Sequence, residues 1–428
     1  MIKKTFVVLL FCMLICGSFI LCQFAKADEE PNISWSKTFG GGDNDEGYSV
    51  EQTTDGGYII AGETDSYGCG EGDAWLIKTN ANGIEQWNKT YGGTASDFSR
   101  FVEQTSDGGY IIVGKTSSYG QGDGDIWLIK TNSDGIEQWN KTHGGISYEW
   151  GNSVQQTSDG GYIIVGVTNS YGLGAGDVWL LKTNATGDKQ WSKTFGGKSW
   201  DVGHSVQKTN DGGYIIAGGT QSFGSGYDDV WLIKTDAAGV EQWNKTYGGL
   251  EFDVGWYVLQ TSDSGFVIVG ETQSYGHEEG DVWLIKTNAD GIEQWNKTYG
   301  GQYRDEGYSV QMTNDGGYIL VGVTSSFTAG GRDTWVIKTN AAGIEQWNIT
   351  YGGVGYDCGW SVQQTIDEGY LIVGYTGSYG AGGKDIFLIK VTAPNHSAET
   401  NSKGTPGFEL YIIIIGISLL LILKRKRI

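Results

Sequence analysis

A tryptophan recurs every 52 residues through this chain, at Trp35, Trp87, Trp139, Trp191, Trp243, Trp295 and Trp347, without one insertion. A period of that length is one supersecondary unit, and such a unit buries its apolar faces only against copies of itself. The fold is therefore an array of seven like units, either closed into a ring or open as a solenoid.

The unit Gly151 to Gly197 shows the internal plan. NSVQQT alternates, and Ser158-Asp159-Gly160-Gly161 closes it with the kind of turn that joins antiparallel strands. YIIVGVT follows as a second strand, a Gly-rich loop leads to DVWLLKT, and Asn184-Ala185-Thr186-Gly187 turns the chain into KQWSKTF. No helical period appears, so each unit holds four short strands. Glycine at 71 of 428 residues would fit a disordered chain, but an aromatic share of 13% calls for a packed interior with many tight turns.

Four-stranded units repeated four to eight times are the pattern of a β-propeller. The expected fold is all-β: a seven-bladed β-propeller with four antiparallel strands per blade, spanning residues 28–392. The phase of the repeat bears on closure. The last copy stops after its third strand, DIFLIK at 385–390, and the chain's first strand, Ile33 to Phe39, is the missing fourth. Pairing of the two would lock the ring. An open solenoid would need polar capping units, and the first and last copies are ordinary ones.

The second-strand glycines, the DVW segment and the later tryptophan resemble a kelch motif, as in galactose-oxidase-like propellers, over residues 33–392. The kelch double glycine is mostly reduced here to Val-Gly or Ala-Gly. The KTFGG and DGGYIIxG phrases are similar to repeat propellers of secreted archaeal and bacterial proteins, a likeness that implies a surface location and no single activity.

The ends carry their own signals. Two lysines, the apolar run Phe6 to Cys22 and Ala25-Lys26-Ala27 read as a Sec-type signal peptide over residues 1–27, with a retained membrane anchor as the alternative. Residues 393–407 are a polar stalk. Residues 408–428 hold the apolar run LYIIIIGISLLLIL and then KRKR. Fourteen helical residues rise only ~21 Å, short of a ~30 Å hydrocarbon core. The order Pro406-Gly407-Phe408, apolar span, basic end resembles the PGF-CTERM sorting signal of archaeal surface proteins; a plain single-span anchor is the other reading. Basic residues after the span place the body outside, anchored through its C-terminal tail. A net charge of −21 speaks against nucleic acid as a partner.

A sevenfold repeat supplies every group seven times, so a catalytic set would stand out as a departure from the repeat. Few departures are reactive. No two of the four histidines have metal-ligand spacing, and His204 and His277 read as isolated surface residues, too few for a copper site like that of galactose oxidase. Cys69 and Cys358 lie in loops of the first and seventh units, where a disulfide across the seam and two free thiols are both open readings.

Two sets of acids recur: Asp45, Asp97, Glu149, Asp201, Asp253, Asp305 and Asp357 before the first strands, and Asp73, Asp125, Asp177, Asp229, Asp281, Asp333 and Asp385 at the start of the third. Such side chains cap Gly-rich loops, and calcium between loops is the sharper reading, making calcium the one candidate cofactor. Around the first set the residues vary and are often aromatic: Tyr148, Trp150, Trp200, Phe252, Trp256, Tyr308, Tyr356 and Trp360. Ringing one mouth, they would stack on sugar rings; packing between loops is the plainer alternative. Asn32, Asn88, Asn140, Asn244, Asn296, Asn348 and Asn395 open Asn-x-Thr or Asn-x-Ser sequons for N-glycosylation. The expected function is non-catalytic binding of a glycan or surface protein, in adhesion or envelope structure. A polysaccharide-active enzyme and a purely structural coat component are the competing readings.

Overall fold

The computed structural model describes residues 31–328 and 330–392. The signal peptide, stalk, C-terminal tail, Asn395 and His396 lie outside the described residues. Among those described there is no helix long and apolar enough to cross a membrane.

Seven four-stranded antiparallel sheets form the blades of a propeller. Blade one runs, from the channel outward, through strands Asp45–Gln52, Tyr58–Thr64, Asp73–Thr79 and Glu85–Tyr91, and the same plan repeats to blade seven. Second and third strands are buried throughout in blades two to six, whereas outer strands such as Glu85–Tyr91 are largely exposed. Burial on both faces explains why YIIVG and WLIK read as continuous apolar runs: neighbouring blades cover each face. Each core cluster spans two blades, as where Ile59 and Leu76 of blade one pack on Tyr110 and Trp127 of blade two.

The ring is closed as the phase of the repeat predicts. Asn32–Phe39 pairs antiparallel with Asp385–Thr392, from Asn32 opposite Thr392 to Phe39 opposite Ile386. The seam has the same cluster as any other blade junction, with Leu371 and Leu388 packed on Ile60 and Trp75 and with Trp35 against them. Side chains of the inner strands also hand over from blade to blade. Glu51 Oε2 accepts the Gln104 N–H at 2.5 Å, Glu103 Oε2 that of Gln156 at 3.0 Å, and Gln363 Oε1 that of Gln52 at 2.5 Å across the seam.

A feature that the repeat pattern conceals holds the third-strand lysines. Lys182 is buried, and its ammonium group donates to Thr183 O at 2.8 Å and to Asp159 in the hairpin turn at 2.9 Å. Equivalent Lys–Asp clamps occur in all seven blades, from Lys78–Asp55 to Lys390–Asp367. Each ties a hairpin turn to its own sheet.

Candidate functional site

One residue in each innermost strand has no partner in the ladder. The register between the first two strands shifts between Gly47 and Ser49, leaving Tyr48 as a bulge, and the same shift recurs in every blade. The seven bulged residues are Tyr48, Arg100, Asn152, His204, Trp256, Tyr308 and Trp360, and all of them line the central channel. A bulge re-aims a side chain without changing the rest of the sheet. It also accounts for the glycine of the second strand: a Cβ on Gly62 would meet Glu46 O at 2.0 Å, so the repeated Gly serves the bulge.

The bulged residues wall an open chamber of about 410 Å³ together with Phe98, Tyr148 and Trp150. Its floor is a waist. At the position of Ser49, five blades carry serine but blades two and five carry Phe101 and Tyr257, and both residues border the chamber and a second cavity of about 230 Å³ beyond it. The two large side chains divide the channel. The second cavity is polar, lined by Glu51, Glu103, Gln155, Gln207, Gln311 and Gln363. Burial raises the carboxyls of Glu51 and Glu103 to about 7, against the backbone N–H each accepts.

Within the chamber, Tyr308 stacks on Trp360 with centroids 4.2 Å apart, and Tyr48 meets Trp360 edge-on at 5.6 Å. Trp256 lies 4.2 Å from His204 and edge-on to Tyr308 at 5.4 Å. The indole N–H groups of Trp256 and Trp360 are buried and have no acceptor. The Arg100 guanidinium sits 4.1 Å over the Tyr48 ring. Burial and then the Arg100 charge push His204 down to about 3, so its imidazole is neutral.

Five of the eight sequence-predicted aromatics therefore reach the chamber: Tyr148, Trp150, Trp256, Tyr308 and Trp360. Trp200 stacks on Trp150 at 5.7 Å, Phe252 engages Asp228 through its backbone, and Tyr356 lies exposed, so these three belong to the rim. Tyr48, Phe98, Arg100 and Asn152 also line the wall, although they are not among the eight predicted aromatics. Their common signal was variation at a fixed place in the frame. His204 is a correction, a chamber residue and not an isolated surface one; His277 does lie at the surface, against Asp281 at 3.2 Å.

The recurring acids cap loops. Asp97 Oδ2 accepts the Gly93 N–H at 2.8 Å and the Ser118 hydroxyl at 2.6 Å, and Asp125 Oδ2 accepts the Gln121 N–H at 2.6 Å. Asp45, Asp201, Asp253, Asp305 and Asp357 repeat the first pattern, and Glu149 accepts the Gly145 N–H at 2.8 Å with the Ser170 N–H in place of the hydroxyl. Asp73, Asp177, Asp229, Asp281 and Asp385 repeat the second. Asp333 starts the third strand of blade six, Asp333–Thr339, at the matching place. Among the described residues, no group of three or more His, Cys, Asp or Glu is placed to hold a metal ion. These carboxylates are spent on loop hydrogen bonds, which fits capping better than calcium.

The disulfide across the seam is not formed. Both cysteines are free, Cys69 exposed and Cys358 buried. The loop that carries Cys69 leans on blade two, where a Cβ on Gly70 would meet Thr94, whereas Cys358 lies in the innermost strand Asp357–Gln364 of blade seven. The sequon asparagines of the outer strands are exposed but engaged: Asn88, Asn140, Asn244, Asn296 and Asn348 each accept a third-strand Trp indole N–H at 3.1–3.3 Å. Blade seven has Phe387 in place of that tryptophan and Ser36 in place of the asparagine. The pairing gives the asparagine of these five blades a role without reference to sugar, while blade three keeps Trp179 with Ser192 at the matching place.

No family model matches the chain, and no curated protein matches it. Solved structures do. BBS1N, solved in complex with ARL6DN, is similar over 86% of this chain and 98% of its own, at 10% identity and a TM-score of 0.50. The Pan2 WD40 domain of Neurospora crassa matches at 10% identity over 80% of this chain and 88% of its own, with a TM-score of 0.47. An alpha-L-arabinanase of Penicillium chrysogenum, solved with arabinobiose, matches at 10% identity over 86% and 99%, with a TM-score of 0.45. At such identity the likeness is one of fold alone.

Proposed function

We propose that this protein is a non-catalytic propeller of the cell surface that binds a glycan in the aromatic chamber of its channel, in adhesion or envelope structure. One observation carries the reading. The repeat is nearly uniform, yet the residues bulged into the channel differ from blade to blade, and together they form a chamber of about 410 Å³ with stacking faces on several sides. Aromatic faces bind the apolar faces of pyranose rings, and a few polar groups fix the orientation.

The surface location rests on the signal-like N-terminus, the apolar and basic tail and the acidic composition. Glycans on the exposed outer-strand sequons and a membrane-held tail belong to the same reading. A glycan array probed with the purified full chain tests it, with Trp256→Ala and Trp360→Ala as controls. Retention of defined glycans by the parent and their loss in both variants is the expected result; an array without retained glycans overturns it, and turnover of a polymer would make the protein an enzyme.

A protein partner is the second reading. Exposed apolar side chains crowd the loops of the same face, among them Ile146, Leu250, Val354 and Tyr356.

A further inference from the structure

The cations around the mouth are not equivalent. Lys384 pairs with Glu46 at 2.6 Å, Arg304 grips Glu271 with two nitrogens at 2.7 and 2.8 Å, and Arg332 pairs with Glu306. Arg100 has no such partner: among the described residues it makes no hydrogen bond or ion pair, and its guanidinium meets only the Tyr48, Phe98 and Trp360 rings at 4.1, 5.3 and 5.7 Å. It stands on a bulge in the chamber wall. Its charge also reaches Glu63 of blade one and His204 of blade four, neither of them bonded to it.

A protein of net charge −21 has abundant carboxylates with which to neutralise an arginine, and it does so at each of the other mouth arginines. At Arg100 it supplies ring faces in contact and the Glu63 carboxyl only at a distance. Stacking holds the planar guanidinium in place and leaves its N–H edge free, the arrangement that receives a carboxylate with two parallel hydrogen bonds. Glu63 reaches Arg100 only through space, the imidazole of His204 is neutral and Asn152 donates to Gly203 O at 2.9 Å; Lys115, 4.4 Å over the Tyr148 ring, is a second mouth cation without an ion pair among the described residues but offers a point charge and no fork.

Resting on the glycan reading above, we propose that the chamber selects an acidic sugar, a pyranose bearing a carboxylate, with the carboxylate on Arg100 and the ring against the Tyr308–Trp360 stack. Neutral sugars would use the rings alone. The acidic body repels such a ligand at long range, so discrimination is set at contact and association quickens as salt screens the field.

Calorimetry with the purified full chain tests this, using a hexuronic acid oligosaccharide, the neutral hexose oligosaccharide of the same linkage, and a sulfated neutral one. The expected result is binding of the uronic acid about tenfold or more tighter than the neutral sugar. Arg100→Gln should erase that preference, so that acidic and neutral sugars bind alike, and Arg100→Lys should restore it only in part, because a point charge lacks the fork. Each variant's thermal melt shows whether it has folded. Equal affinity for acidic and neutral sugars overturns the proposal and leaves the glycan reading standing. A preference for the sulfated sugar overturns the carboxylate assignment. Absence of binding by all three, with an empty glycan array, overturns both readings.

Discussion

The indole of Trp35 lies against the ring of Tyr58, centroids 6.2 Å apart, although Trp35 belongs to the outer strand of blade seven and Tyr58 to the second strand of blade one. An equivalent contact joins every other pair of neighbours, as between Trp87 and Tyr110, with Phe266 as the partner of Trp243. At the seam it does more, because it fastens the strand that closes the ring to the blade beyond it. Trp35→Ala should cost about 2–3 kcal/mol, read by urea unfolding. Unlike Trp87→Ala, it should also make the Asp385–Thr392 edge accessible, read as faster amide exchange there. Equal exchange in the two variants would show that the seam is no weaker than other junctions.

The Lys–Asp clamps predict an asymmetry. The Lys182 side chain is 6% exposed and that of Asp159 53%. Lys182→Met leaves a carboxylate that water can solvate, for a loss of about 1 kcal/mol. Asp159→Asn strands a buried ammonium group and should cost about 3 kcal/mol. Chemical denaturation of the two variants checks the order, and the reverse order would mean that the lysine is held by Thr183 O alone.

Acid should weaken the same clamps. The Thr157 hydroxyl, with Lys182 and the Gly161 N–H, draws Asp159 from 3.8 to about 2 against its partial burial. A folded value below the unfolded one means stability that is complete above about pH 4 and lost as pH falls toward 2. The melting temperature should drop over that window, and Asp159→Asn should shrink the drop by its share.

Glu51 and Glu103 act in the opposite direction. Burial raises each from 4.5 to about 7, so their contribution is full below pH 4.5 and is lost as pH rises through 7. Stability should therefore peak near pH 4–5. Glu51→Gln with Glu103→Gln installs the residue that Gln155, Gln207, Gln311 and Gln363 already supply at this place. The double variant should melt higher at pH 8 and nearly unchanged at pH 4.5. A parallel shift at both pH values would point to packing and not to charge.

Thiol labelling separates the cysteines. Cys69 is exposed, and burial pushes the Cys358 thiol far up from its ordinary value. Of these two thiols, that of Cys69 should react in the folded protein and both should react after denaturation.

The fold was legible in the sequence because its determinants repeat. A 52-residue period, four apolar or alternating runs per period and an orphan strand at the start are enough to specify blades, their number and the closure. Loop-capping acids were legible for the same reason. The chamber was only half visible. A bulge adds one residue to a strand without disturbing the period, so the sequence shows that the place of Arg100 varies but not that its side chain turns into the channel. Nothing in the sequence sets Phe101 and Tyr257, which narrow the channel, apart from other strand apolars, and nothing in the WLIK run shows that its lysine is buried and paired with an aspartate of the hairpin turn. Direction within a strand depends on local register, which one sequence does not display.

Closure by Asn32–Phe39 also fixes an order of events during synthesis. The strand emerges from the ribosome first, while its partner, Asp385–Thr392, emerges some three hundred and fifty residues later. Until then the nascent chain carries a spare outer strand and a growing row of nearly identical blades, each of whose third strands would accept it. Correct assembly depends on the blades completing themselves with their own outer strands in turn, which leaves the last sheet as the sole vacancy.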